Sequence, residues 1–248
     1  MPDKRYKEFM KVPSNVARWV RRELLLTVVF LLPGLAFLQT TGDIGIYFRH
    51  RVPDGQILYL GAKLCGLYAV IFLWLQLLQG LLHASGYRFL NSNGNPGFHR
   101  NLGLLVVFLF LTHIALFVSA VSLRSGHFVY QLLLPRFFGA YYPSILSMGL
   151  IGAWLLLIAA AIGAMRRRSK RNGWVWVHRL TWGAFFLVYF HSYLIGSETR
   201  VGLVPWLFYF MFGTTVMAMG LRIWKGAVVG SCLFGGARPV RDCSKKGA

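Results

Sequence analysis

Six long apolar runs dominate this chain, at approximately Glu23–Thr41, Ile57–His83, Asn101–Leu123, Ile145–Met165, Trp174–Ile195 and Gly202–Trp224. A hydrocarbon layer of about 30 Å is crossed by roughly 20 helical residues, so each run is long enough to span. Lipid offers the backbone no hydrogen-bond partner, which leaves helices or closed barrels, and unbroken runs of this length are helical. The expected fold class is therefore all-α, an integral membrane six-helix bundle. Pro33 and Gly34 predict a kink in the first span. Hydrophobic residues make up 56% and charged residues 14% of the 248 positions, where a soluble domain carries roughly a quarter charged.

The formal net charge of +20 does not signal nucleic acid, because the charge lies in tails and short loops between the apolar runs. The N-terminal segment holds Lys4, Arg5, Lys7, Lys11, Arg18, Arg21 and Arg22. The loop after the fourth run reads Arg166-Arg167-Arg168-Ser169-Lys170-Arg171, and the tail holds Arg222, Lys225, Arg238, Arg241, Lys245 and Lys246. In a six-span protein these three segments share one side, which predicts both termini in the cytoplasm, in a bacterial inner membrane. The predicted organisation is a basic segment over 1–22, a membrane domain over 23–224 and a basic tail over 225–248. The basic leader runs straight into a full-length span without a small-residue cleavage site, so no cleaved signal is expected. Arg166–Arg171 reads as a topology signal in contact with anionic lipid. Cys65, Cys232 and Cys243 share no CxxC spacing and predict no thiol chemistry.

Ionisable groups inside a membrane are costly and mark function. The third run carries His99 and His113, and the fifth carries His178 and His191. The 14 residues between His99 and His113 are close to four turns, about 21 Å along one helix face, and His178 and His191 lie about 19.5 Å apart. Both helices run from inside to outside, so the histidines form two depth-matched pairs, His99 with His178 (inner) and His113 with His191 (outer). Two facing imidazoles are the ligation of a six-coordinate, low-spin electron-transfer haem. The absence of CxxCH excludes covalent attachment. The 13-residue spacing turns His191 well off the face of His178 on an ideal helix, so a tightened turn, a bend near Gly183 or different rotamers would be needed to aim both inward.

This constellation resembles the ferric-reductase-like transmembrane domain family, which includes NADPH oxidases, ferric reductases and the haem membrane subunit of the bacterial methionine sulfoxide reductase system. His99-Arg100-x-Leu102-Gly103 and His178-Arg179-Leu180 look like that family's inner ligand motifs, and the 14 and 13 spacings agree. The resemblance runs from about Glu23 to Trp224. It implies two stacked haem b groups and transfer of single electrons from a cytoplasmic flavin to an extracytoplasmic acceptor. NADPH oxidases and ferric reductases continue into a flavin- and nicotinamide-binding domain. Here no GxGxxG opens a strand–helix unit, and Gly235-Gly236 reads as a turn. The flavin is accordingly expected on a separate flavoprotein or reductase.

Arg100 and Arg179, each following an inner histidine, are readable as haem-propionate partners or as arginines snorkelling to headgroups. His83 ends the second run and reads first as a solvated terminal residue, and as the substitute ligand should His99 fail. His50 and His127 belong to outer segments, and the apolar loop Phe128–Tyr142 is expected to lie on the membrane surface as a cap. Two haem-free alternatives are a transporter whose histidines relay protons or ions, and a scaffold subunit of a larger membrane complex. The transporter fits less well, because intramembrane carboxylates are scarce and no internal repeat is visible.

Overall fold

The computed structural model describes residues 14–49, 52–86, 96–137, 140–165 and 178–234. Among them lie seven helices and no strand: α1 (Ser14–Thr41), the short α2 (Ile46–Arg49), α3 (Gln56–Ala84), α4 (Pro96–Ser125), α5 (Tyr141–Met165), α6 (Leu180–Ile195) and α7 (Val204–Phe234). The 3₁₀ turns Tyr130–Leu133 and Glu198–Arg200 sit in the connections before α5 and α7. Each apolar run thus became a helix, mostly longer than the run, because helices continue past the apolar stretch where the backbone must still bond itself. Proline marks three starts. Pro96 opens α4, and Pro143 and Pro205 lie in the first turns of α5 and α7, where a missing N–H costs nothing.

Stretches in α3, α4, α5 and α7 are long and apolar enough to cross a membrane, and shorter apolar helices cover Thr27–Thr41 and Leu180–Ile195. The chain is a multi-pass membrane protein. Its outward faces carry Leu104, Phe108, Trp154, Trp206 and Ile223, all more than half exposed, as lipid-facing side chains are. The 16 residues of α6 span about 24 Å, short of the hydrocarbon thickness. The residues preceding His178, expected within the fifth span, lie outside the described residues, as do Arg166–Arg171, His50 and Arg238–Lys246.

α3 is the central helix and packs against α1, α4, α6 and α7, while α5 packs against α4 and α6. Ile71 and Leu75 of α3, Phe185 of α6, and Phe208 and Met211 of α7 are fully buried at the centre. Lipid is as apolar as these side chains, so association rests on close packing and interhelical hydrogen bonds. Trp74 Nε1 donates to Thr214 Oγ1 at 3.1 Å, joining α3 to α7, and Tyr189 Oη donates to the Phe208 carbonyl at 3.0 Å, joining α6 to α7. The Tyr68 hydroxyl reaches the Phe30 carbonyl at 2.8 Å, three residues before Pro33 in α1. Contacts at both ends fix the alternating direction of the helices. At the end expected to face outward, Arg124 Nη2 donates to Gln56 Oε1 at 2.7 Å. At the other, Lys225 Nζ donates to the Ser85 carbonyl at 2.8 Å.

The turn into α3 is close-fitting. Gly55 has φ of 75°, and a Cβ there would lie 2.3 Å from the Ala120 carbonyl oxygen of α4. Only glycine tolerates both the left-handed backbone and this approach.

Candidate functional site

The four histidines fall into two groups, His99 beside His178 and His113 with His191 around one cavity. At the inner end, the rings of His99 and His178 face each other with centroids 6.3 Å apart and planes at 76°. Two imidazoles sharing one metal ion, each with a nitrogen about 2 Å from it, have centroids roughly 6 Å apart. The observed separation matches that spacing, and equally an ordinary edge-to-face ring contact. His178 Nδ1 is buried with no hydrogen-bond partner, and buried imidazole nitrogens ordinarily have one.

His178 stands just ahead of α6, separated from it by a turn at Arg179. There Trp182 N bonds the Arg179 carbonyl three residues back at 3.0 Å, and Thr181 Oγ1 caps the His178 carbonyl at 2.8 Å. A three-residue turn advances about 20° more per residue than an α-helical one. It therefore rotates His191 toward the face of His178, in the direction the 13-residue spacing requires.

At the outer end, His113 and His191 line one cavity of about 200 Å³, walled mainly by apolar side chains of α3–α7 such as Leu73, Phe110, Leu156, Val188 and Phe208. Each imidazole is held from behind by a different helix. His113 Nδ1 lies 2.7 Å from the Ala62 carbonyl of α3, and His191 Nδ1 lies 2.9 Å from the Ile145 carbonyl of α5. Carbonyl oxygens only accept, so Nδ1 carries the proton in both rings and Nε2 keeps its lone pair. A carbonyl behind Nδ1 is how proteins orient a metal-ligating imidazole.

Both seats are built alike. A glycine stands one turn beyond each carbonyl, Gly66 after Ala62 and Gly149 after Ile145. A Cβ at Gly66 would lie 2.8 Å from His113 Nδ1, and one at Gly149 would lie 2.6 Å from His191 Cγ and Nδ1. The bare backbone at these positions lets the rings reach carbonyls that a side chain would cover.

The buried, unpartnered Nδ1 of His178 and the apolar cavity lined by His113 and His191 are compatible with a haem at each pair, which these four histidines would hold. Among the described residues no three His, Cys, Asp or Glu side chains gather as a metal site. Arg100 is exposed, with Nε on Asn101 Oδ1 at 3.3 Å, and Arg179 is partly buried beside His178. His83 is exposed at the end of α3, and His127 is exposed with Nδ1 on the Ser125 carbonyl at 3.0 Å. Neither of these two belongs to a facing pair. No family model, curated protein or solved structure matches the chain.

Four participants were missed in the sequence: the carbonyls of Ala62 and Ile145, and Gly66 and Gly149. The available signal was a glycine inside each of two apolar runs, at i+4 from a residue able to offer its carbonyl.

The loop Phe128–Tyr142 lies over this cavity in part, with Leu132, Leu133 and Tyr142 in its wall. It is pinned by Val129 N on Ser122 Oγ at 3.1 Å, and by Ser147 Oγ, which bonds the backbone of Arg136 at 2.6 and 2.9 Å. Phe128, Tyr130, Leu134 and Tyr141 remain exposed, which suits a segment lying on the membrane surface.

Proposed function

We propose that this protein is a di-haem b-type cytochrome of the ferric-reductase-like kind, moving single electrons across the membrane. The donor is a separate flavoprotein or other reductase on the cytoplasmic side, and the acceptor lies on the opposite side. The observation that supports the reading is the 6.3 Å separation of the His99 and His178 rings, together with a second pair of imidazoles that line one cavity with their Nδ1 protons committed to carbonyls. Haem b bound between paired imidazoles supplies reversible one-electron chemistry with no protein group changing its bonds.

The chain's own residues bind and orient. His99 and His178 hold the inner iron, and His113 and His191 the outer. The carbonyls of Ala62 and Ile145 raise the basicity of the outer ligands and fix their planes. The apolar lining keeps water away from the outer site and so favours the less charged state there. Arg100 and Arg179, adjacent in sequence to the inner ligands, would pair with the anionic propionates of the inner haem. The basic segments put both termini in the cytoplasm.

The test is the visible spectrum of the purified protein. A Soret band that shifts and α and β bands that sharpen on reduction with dithionite are expected. Their absence would return the histidines to a haem-free transporter or scaffold.

A further inference from the structure

Apart from the two imidazoles, the main polar part of the outer cavity is the wall where Lys63 of α3 meets the turn that follows α6. Lys63 Nζ pairs with the Glu198 carboxylate and donates to Ser197 Oγ at 2.9 Å, and Ser197 Oγ donates to Glu198 Oε1 at 3.0 Å. The ammonium also lies 5.6 Å from the centre of the Tyr59 ring. Glu198 is 9% exposed. A lysine seven residues into a membrane helix and a nearly buried glutamate are each costly in this setting, and each compensates the other.

Their neighbours give the pair its meaning. Lys63 directly follows Ala62, whose carbonyl seats His113. Glu198 is held rigidly to the end of α6, the helix of His191, because Thr199 Oγ1 bonds the carbonyls of Tyr193 at 2.8 Å and Gly196 at 2.7 Å. His191 itself is seated on α5, not α3. Among the polar contacts described here, the Lys63 cluster alone ties the helix that seats one outer imidazole to the helix that carries the other.

We infer that Lys63 and Glu198 are positioning residues of the outer haem site, setting the separation of His113 and His191 by tying the seat of the first to the cap of the second. This rests on the haem reading above, and the bland alternative is a strut that merely holds α3 to α6.

The experiment uses the full chain in detergent, with two readouts: haem loss to excess apomyoglobin and the low-spin electron paramagnetic resonance signals of the oxidised protein. The outer signal is assigned by its disappearance in His113→Leu. In Lys63→Met/Glu198→Leu, which leaves no unpaired charge, outer haem should be lost about 10-fold faster, the lower end for a group supporting a metal ligand. The outer signal should shift while the inner one stays. The exchanged pair Lys63→Glu/Glu198→Lys should restore both properties.

An apolar variant that retains both haems as the wild type does overturns the inference and leaves the haem reading standing. So does equal loss from both sites, or an exchanged pair that restores nothing. A wild type that binds no haem overturns both.

Discussion

The imidazole of His191 rests on the bare backbone of α5: a Cβ at Gly149 would sit 2.6 Å from its Cγ and Nδ1. His113 lies against Gly66 of α3 in the same manner, at 2.8 Å. Two helices that carry neither histidine thus set the orientation of both imidazoles.

Gly149→Ala and Gly66→Ala should each displace a ring from its carbonyl and weaken haem retention at the outer site about 10- to 100-fold. Gly163→Ala and Gly220→Ala, where an added Cβ meets nothing within 4 Å, serve as controls. Haem content after dialysis against apomyoglobin reads the difference, and equal retention in all four variants would refute the seat.

Purified protein should hold two non-covalent haems per chain, measured as the pyridine haemochrome. His99→Ala or His178→Ala should remove the inner one, and His113→Ala or His191→Ala the outer one. Full haem content in all four variants would show the ligand assignment to be wrong.

Reduction by NADPH should require an added flavoprotein or reductase, whereas dithionite should reduce the isolated protein directly. The basic stretches Arg166–Arg171 and Arg238–Lys246, outside the described residues, should steer an acidic donor. The donor-dependent rate should therefore fall as ionic strength rises. Anaerobic mixing with NADPH alone, followed at the Soret band, decides the matter, since rapid reduction there contradicts a separate donor.

Tyr189→Phe and Trp74→Phe each delete one interhelical hydrogen bond. Such bonds average about 0.6 and reach about 1.7 kcal/mol in membranes. A small drop in detergent melting temperature, with haem content unchanged, is the expected outcome. Loss of haem in Trp74→Phe would mean that the α3–α7 contact also shapes the outer cavity.

The sequence alone determined the helices, and predicted the relative depth of the histidines along them. An apolar run of about 20 residues has no other way to satisfy its backbone in lipid, and a fixed rise per residue converts spacing directly into depth. Helix ends were less legible. α1 begins at Ser14, nine residues before its apolar run, because a helix continues into the interface where hydropathy no longer marks it.

The facing of His99 and His178 followed from depth matching, but their 6.3 Å separation did not, since it depends on how α4 meets the turn ahead of α6. Only the tertiary structure decided which helices hold the outer rings. An accepting carbonyl has no sequence identity, and the glycine that exposes it looks like any small packing residue until a neighbouring helix brings an imidazole against it. The same holds for Lys63 and Glu198, 135 positions apart in the chain. Neither was singled out from the sequence, and it is the packing of the turn after α6 against α3 that makes them a pair.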